Sequence, residues 1–523
     1  MKNTSFALGL DRLTAGTALK IARGEMTWQL SAKTIEKVRA SRKAVEAIVE
    51  SEKTVYGINT GFGSLCTTII SRDETTKLQH NLLRSHSVGV GPAIPAEVAK
   101  LMMVLKCHAL AQGYSGISAR TLERIIWHVD NDVIPIVPSQ GSLGASGDLA
   151  PLAHLFLPLL GLGKVHYKGQ IVDGGEALQR EGLASLQLGP KEGLALINGT
   201  QFIAAFAVKA IERLHNCLDT ADIVGAMTLE SLLGSVRPFE AALHQIRPFP
   251  GNCVVAHRLR QLLHNSKMVA SHVNCERVQD SYSLRCMPQV HGASRNAWLH
   301  LKEMLEIELN SVTDNPIILD KDNSISGGNF HGQPLALPLD YVTLAASELG
   351  NISDRRTFLL LKGGTGLPQL LMHNTGINSG FMIPQYTSAA LASENKGLCF
   401  PASADSIPTS LGQEDHVSMG SISARKANQV VDNLENIFAV ELLCAAQAFD
   451  YRHPLKSSPI LEACHNLVRQ HIDHAEEDRV FGKDIATAAD IIASKKLVTT
   501  ANKVALELNA NLNGEYHEAF GIY

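Results

Sequence analysis

Apolar positions recur at three- and four-residue intervals over most of this chain, and that spacing predicts helices rather than strands. Four stretches carry it furthest: 200–218, 294–308, 339–361 and 426–449. In the last, Val430, Val431, Leu434, Ile437, Phe438 and Leu442 fall on overlapping i, i+3 and i+4 rows. A helix apolar around so much of its circumference needs neighbours on several sides, which predicts the middle of a bundle.

The earlier part of the chain is more broken. Helical spacing predicts helices over 34–51, 101–112 and 118–130, while Ile134-Pro135-Ile136-Val137-Pro138 predicts an extended run, because a residue before proline avoids the helical region. Alternation over 164–172 predicts a short strand, with an Asp-Gly-Gly turn after it. The tail from 496 to 523 is less periodic and is expected to be partly ordered. No internal repeat stands out. The expectation is a mainly α protein: a mixed, loop-rich N-terminal domain over 1–197, then a long-helix bundle with a C-terminal helical region over 198–523.

Composition narrows the partners. The chain has 523 residues, 45% hydrophobic and 19% charged, with a formal net charge of −4 and no basic runs, so it carries no footprint for nucleic acid. A small molecule or another copy of the chain is the expected partner. Cysteines at 66, 107, 217, 253, 275, 286, 399, 444 and 464 are odd in number and form no CxxC pair, which suits a reduced, cytoplasmic setting. Residues 1–24 mix Leu and Ala with Asp11, Arg12, Lys20 and Arg23, unlike a secretory signal. The longest apolar stretch, 149–162, is interrupted by Pro151, His154 and Pro158 and is shorter than the ~20 residues that span a bilayer, so a membrane span is not expected.

The densest chemistry lies in 141–153, GSLGASGDLAPLA. Glycines at 141, 144 and 147 permit backbone torsions that other residues avoid. If the Gly147 nitrogen closes on the Ala145 carbonyl carbon, loss of two waters yields a five-membered ring with Ser146 dehydrated to an exocyclic methylene, an electrophile made from the chain itself. Asp148 is placed as an N-cap, with Pro151 in the first turn of an apolar helix running to about 160. A simple turn, or an anion site at a helix start, is the competing reading of an isolated Ala-Ser-Gly. A hydrolase elbow is excluded, since G-x-S-x-G requires glycine where Asp148 stands.

Along its whole length the 141–153 string resembles the signature of the aromatic amino-acid ammonia-lyase family, whose Ala-Ser-Gly forms 4-methylideneimidazole-5-one (MIO). The resemblance extends in ordered blocks from Val55 to Phe449, with further matches at 478–485. It implies a MIO built from Ala145, Ser146 and Gly147, no metal or nucleotide, and a homotetramer whose active sites draw residues from several subunits. Tyr56, in the lid-like loop YGINTGFG, matches the tyrosine assigned as catalytic base. Asn198, in LALINGTQ, matches the asparagine that bonds the ring or the substrate carboxylate. Tyr282 and Arg285, three apart and therefore neighbours on a helix, match active-site residues, Arg285 as a carboxylate clamp. Ser281 replaces the family's usual proline before that tyrosine. Gln279 and Phe330 match further pocket residues.

Two positions bear on the substrate. Ser85-His86, in LLRSHSVGVG, resembles the histidine-specific members, whereas tyrosine- and phenylalanine-preferring relatives typically have His-Leu or Phe-Leu there. Glu414, in GQEDHVSMG, stands where the latter commonly carry an amide. A carboxylate accepts from an imidazole N–H and His86 pairs with the other ring nitrogen, while a phenyl ring leaves both groups unpaired. L-Histidine is the implied substrate, giving trans-urocanate and ammonia. The alternatives are a tyrosine or phenylalanine ammonia-lyase or aminomutase, and a noncatalytic helical assembly. Two weaker signals remain: the His471-Ile472-Asp473-His474 spacing, read as a solvated helix before a metal site, and Lys362-Gly363-Gly364-Thr365-Gly366, read as a helix-ending turn.

Overall fold

The computed structural model describes residues 5–51, 54–61, 63–65, 70–71, 74–273 and 277–523. Phe62 of the lid-like loop, Cys66 and Cys275 lie outside them; the remaining seven cysteines are free thiols. Helices dominate, and the sheets among the described residues have two or three short strands each. The protein is mainly α, as the periodicity predicts.

The chain divides into two compact units, each assembled from three segments: 1–209, 301–340 and 401–425 in one, 210–300, 341–400 and 426–523 in the other. The contiguous division expected at 197/198 falls between a short helix, Glu192–Ile197, and the helix Gln201–Ser231.

In the first unit the Ala96–Ala111 helix is buried on nearly every side, which its run of Leu, Met, Val and Ala permits. A three-stranded antiparallel sheet joins Ile134–Pro135, Lys164–Tyr167 and Gln170–Asp173. The chain reverses at Lys168-Gly169, and the Asp-Gly-Gly expected as a turn instead opens the helix Gly174–Arg180. One pairing positions the site. The helix Thr75–His86 leads into strand Val90–Ala93, which runs antiparallel to Pro138–Gln140, with Val90 opposite Gln140. The end of that helix and the start of the Gly-rich stretch are thus brought side by side. The stretch then enters Leu149–Phe156, which tightens to a 3-10 turn over Leu157–Leu160 because Pro158 cannot donate a helical hydrogen bond.

The long helices run further than their apolar spacing predicts. Gln201–Ser231 continues 13 residues past 218. The continuation carries Asp219, Asp222, Thr228 and Glu230, all buried, which hide the periodicity. Their partners explain the burial. Asp222 accepts from Arg258 Nε at 2.7 Å, Arg295 Nη2 at 2.6 Å and His291 Nδ1 at 2.9 Å. Arg356 pairs with Glu441 at 2.6 and 2.8 Å. The tail is more regular than expected, forming the helix Lys496–Glu507 with Leu497, Ala501 and Ala505 buried. His471 to His474 is a turn beyond the helix Pro459–Arg469, with His474 Nδ1 on Asp450 Oδ2 at 2.7 Å. Among the described residues no group of three or more His, Cys, Asp or Glu is placed to hold a metal. The helix Gln333–Leu361 ends at the Lys362 turn, where Gly363 has a φ of +74°.

Candidate functional site

A cavity of about 1000 Å³ lies within the first unit, and Tyr56, His86, Ser146, Asn198, Phe330 and Glu414 all line it. Each arrives from a different stretch of chain. Ser146 sits at the turn between strand Pro138–Gln140 and helix Leu149–Phe156, His86 at the last turn of its helix, and Asn198 just beyond Glu192–Ile197.

The Gly-rich turn is held from three sides. Gly147 has a φ of +76°, and a Cβ there would stand 2.2 Å from the Gly199 carbonyl oxygen, so only glycine fits both the torsion and the space. Asn198 Nδ2 donates to the Ser146 carbonyl oxygen at 2.8 Å. Met419 N donates to Leu143 O at 2.9 Å and Ser421 Oγ to Ser142 O at 2.6 Å, fastening the turn to 418–421.

Asp148 acts differently from the N-cap expected of it. It occupies that position before Leu149–Phe156, yet its side chain makes no capping bond there. Instead Oδ2 accepts from the amides of Phe202 and Ile203, each at 3.0 Å, while its own N–H donates to Gly199 O at 2.7 Å. The unpaired amides that open Gln201–Ser231 compete for the carboxylate and win, because they are buried beside it. Burial pushes the Asp148 carboxyl up to about 7, against the pull of those amides. Asp148 therefore ties the Gly-rich turn to the start of the 201–231 helix.

Glu414 and Ser146 meet directly: Ser146 Oγ donates to Glu414 Oε1 at 2.8 Å. The second carboxylate oxygen accepts from Thr409 Oγ1 at 3.1 Å, and Thr409 and Glu414 also exchange backbone bonds of 2.9 and 3.3 Å. His86 Nδ1 lies 3.0 Å from Ser85 Oγ. Burial lowers the His86 pKa, with the Leu82 carbonyl and the Glu414 charge pulling it back up. Tyr56 Oη accepts from the Gly63 amide at 3.2 Å. Asn198 Oδ1 is buried with no hydrogen-bond partner.

Gln279, Tyr282 and Arg285 belong to the second unit and do not line this cavity. They form a cluster of their own. Tyr282–Arg285 is a four-residue helix in which the guanidinium stands 4.7 Å from the centroid of the Tyr282 ring, and Arg285 Nη2 donates to Gln279 Oε1 at 3.0 Å. Tyr282 is 71% exposed, an unusual position for an aromatic residue.

Sequence reasoning passed over Thr409 and Lys106. Thr409 carries no signal beyond its place in a Ser- and Gly-rich turn. Lys106 is a lone cation in the apolar run LMMVLKCHALA, and an ammonium at a buried helical position is itself a mark of function.

The arrangement joins a hydroxyl on a strained Gly-rich turn, an amide donor on the adjacent carbonyl, and a carboxylate beside an imidazole. Comparisons with known proteins converge on it. The family profile described as aromatic amino acid lyase matches residues 13–470. A histidine ammonia-lyase of Natranaerobius thermophilus is 47% identical over 491 residues, covering 93% of this chain and 96% of its own. Among solved structures, histidine ammonia-lyase from Trypanosoma cruzi superposes with a TM-score of 0.89 at 39% identity, covering 99% of this chain and 98% of its own. Tyrosine aminomutase from Streptomyces globisporus superposes with a TM-score of 0.91 at 34% identity, covering 96% and 99%. With its Gly-rich turn intact and the match running through nearly the whole sequence, the chain belongs to the aromatic amino acid lyase family.

Proposed function

We propose that this protein is a MIO-dependent histidine ammonia-lyase that eliminates ammonia from L-histidine to give trans-urocanate. The observation carrying the proposal is the bond between Ser146 and Glu414 on a cavity that His86 also lines. It brings a carboxylate to the centre of the Ala145-Ser146-Gly147 turn, with an imidazole lining the same cavity.

The tripeptide suits the group. Gly147 offers an unhindered nitrogen in the left-handed region, Ser146 presents its hydroxyl to the cavity, and its carbonyl is already held by Asn198. The MIO, once formed, supplies an electrophile that turns the amine into a leaving group or makes the β-proton acidic. This chain's residues do the rest. Tyr56 takes the proton from the β-carbon, the Cα–N bond breaks as the double bond forms, and ammonia departs. An ordinary tyrosine has a pKa of about 10, so this role requires positive charge near Tyr56 in the assembled enzyme. Glu414 accepts from the imidazole N–H of the substrate and His86 faces the other ring nitrogen, with Thr409 fixing the carboxylate.

Arg285 clamps the substrate carboxylate, with Tyr282 orienting the substrate and Gln279 bracing the guanidinium. Tyr282 and Gln279 are exposed and Arg285 is half-buried, which suits residues that serve the cavity of another copy; with the family resemblance, this supports a homotetramer with shared sites. Among the described residues no helix is long and apolar enough to cross a membrane; the cytoplasmic location proposed here rests on the odd cysteine count without a CxxC pair.

The test is incubation of purified protein with L-histidine, L-tyrosine and L-phenylalanine separately, following the ultraviolet absorbance of the unsaturated acid. Product from histidine alone supports the reading. Product from tyrosine or phenylalanine instead transfers the protein to the lyase or aminomutase alternative and sinks the roles given to His86 and Glu414. Silence on all three, with an intact mass lacking the two-water deficit, favours a noncatalytic assembly.

A further inference from the structure

Behind Asn198 lies a cation that the reaction outlined above leaves unused. Lys106, on the Ala96–Ala111 helix, is 1% exposed. Its ammonium donates to the Asn198 carbonyl oxygen at 2.5 Å and to Gln201 Oε1 at 3.5 Å. Neither partner is a carboxylate. Asp314, the strongest charge acting on it, is engaged by Lys191 at 2.7 Å. Burial brings the Lys106 pKa down to about 8; Asp314 and Asp148 oppose the shift and Lys191 adds to it.

A buried ammonium whose direct partners are neutral oxygens is destabilising relative to an apolar side chain of similar size, so packing gives no reason for lysine here. The contact it makes does. The residue whose carbonyl it holds is the one whose Nδ2 donates to the Ser146 carbonyl at 2.8 Å. Gly199 follows with a φ of +137° and no side chain to brace the segment.

We propose that Lys106 is a positioning residue for the electrophile: its ammonium clamps the Asn198 carbonyl and so keeps the Asn198 amide on the Ser146 carbonyl. The inference rests on the lyase reading, because only there is that carbonyl chemically active. In ring closure the Gly147 nitrogen bonds to the Ala145 carbonyl carbon. One water removes the Ala145 oxygen with the Gly147 and Ser146 amide protons, and the other removes the Ser146 hydroxyl with its Cα proton. The Ser146 carbonyl oxygen survives both losses, so a donor fixed on it acts in maturation and in turnover alike.

The experiment compares full-length wild type, Lys106→Met and Lys106→Arg by intact mass, by thermal melting, and by kcat and KM for L-histidine from neutral to alkaline pH. Lys106→Met is expected to show an incomplete two-water deficit and a kcat lower on the order of 10²-fold, with KM within about twofold. Lys106→Arg, which keeps its charge, is expected to mature fully and to lose less kcat than wild type toward alkaline pH. A Lys106→Met protein with full deficit and wild-type kcat overturns the proposal, as does a Lys106→Arg protein that keeps the wild-type alkaline decline. Should Lys106→Met fail to fold, the Lys106→Arg pH profile decides. Wild type without the two-water deficit removes the lyase reading and the clamp together, whereas a mature wild type beside an unaffected Lys106→Met removes the clamp alone.

Discussion

Ser146 and Glu414, 268 residues apart in the chain, are joined by a hydrogen bond of 2.8 Å from the hydroxyl to Oε1. The bond places the residue that the proposed chemistry consumes against the residue that it assigns to substrate recognition. Ser146→Ala removes the hydroxyl that must leave. The variant is expected to melt within a degree or two of wild type, to show no two-water deficit by intact mass, and to be inactive on L-histidine. A Ser146→Ala protein with residual turnover near the wild-type rate would exclude the electrophile.

Glu414→Gln and His86→Leu test the reading of the imidazole. His86→Leu leaves a substrate ring nitrogen unpaired in the cavity, and kcat/KM for L-histidine is expected to fall on the order of 10²-fold; Glu414→Gln keeps an oxygen acceptor but loses its charge, and a smaller fall, on the order of 10-fold, is expected. Thr409→Val, which frees the second Glu414 oxygen, is expected to raise KM for histidine with a smaller effect on kcat. Steady-state kinetics on the three amino acids checks all of these together.

Gly147 tests the geometry of the turn. An alanine there meets a carbonyl oxygen 2.2 Å from its Cβ at a φ of +76°. The torsion alone costs on the order of 1–3 kcal/mol. Gly147→Ala is therefore expected to lower the melting temperature and to abolish the two-water deficit; a matured Gly147→Ala protein would show that ring closure does not need this conformation.

The sharing of sites is tested by mixing. Ser146→Ala and Arg285→Met chains, each inactive by itself, are expected to recover part of the wild-type activity when co-expressed, because mixed tetramers contain cavities with both groups intact. Co-expression without recovery would place Arg285 and Ser146 of one chain in the same site.

Acid stability follows from two buried histidines. Burial lowers the pKa of His108 and of His128 from 6.5 to about 4. His108 Nδ1 accepts from the Gly9 amide, and His128 Nδ1 bonds the Val133 carbonyl oxygen. Below 6.5 the unfolded chain binds protons that the folded chain refuses, so stability is fully present above 6.5 and is lost as pH falls toward about 4. Each site contributes on the order of 3 kcal/mol over that window. Melting temperature against pH should decline there, and His108→Asn should flatten the decline. An unchanged profile in that variant would assign the acid sensitivity elsewhere.

Much of this was legible in the residue order, and the physical reason is locality. Helical periodicity depends on neighbours three and four apart, so the mainly α fold and the four long helices could be read directly, as could the Gly-rich string at 141–153. Where the reading stopped short, polar residues had been buried against distant partners: Asp222 with Arg258 and Arg295 extends the 201–231 helix past the point where apolar spacing ends. Asp148 looked like the cap of its own helix, and only the approach of Phe202 and Ile203 shows whose amides it serves. The resemblance named Tyr56, His86, Asn198 and Glu414 separately. That four separated stretches supply one cavity wall depends on the pairing of Val90–Ala93 with Pro138–Gln140 and on the return of 409–421 to the Gly-rich turn. Lys106 stands out in the sequence only as a lone cation in an apolar run; its role belongs to the tertiary level, because folding removes the water from its ammonium and leaves the Asn198 carbonyl in its place.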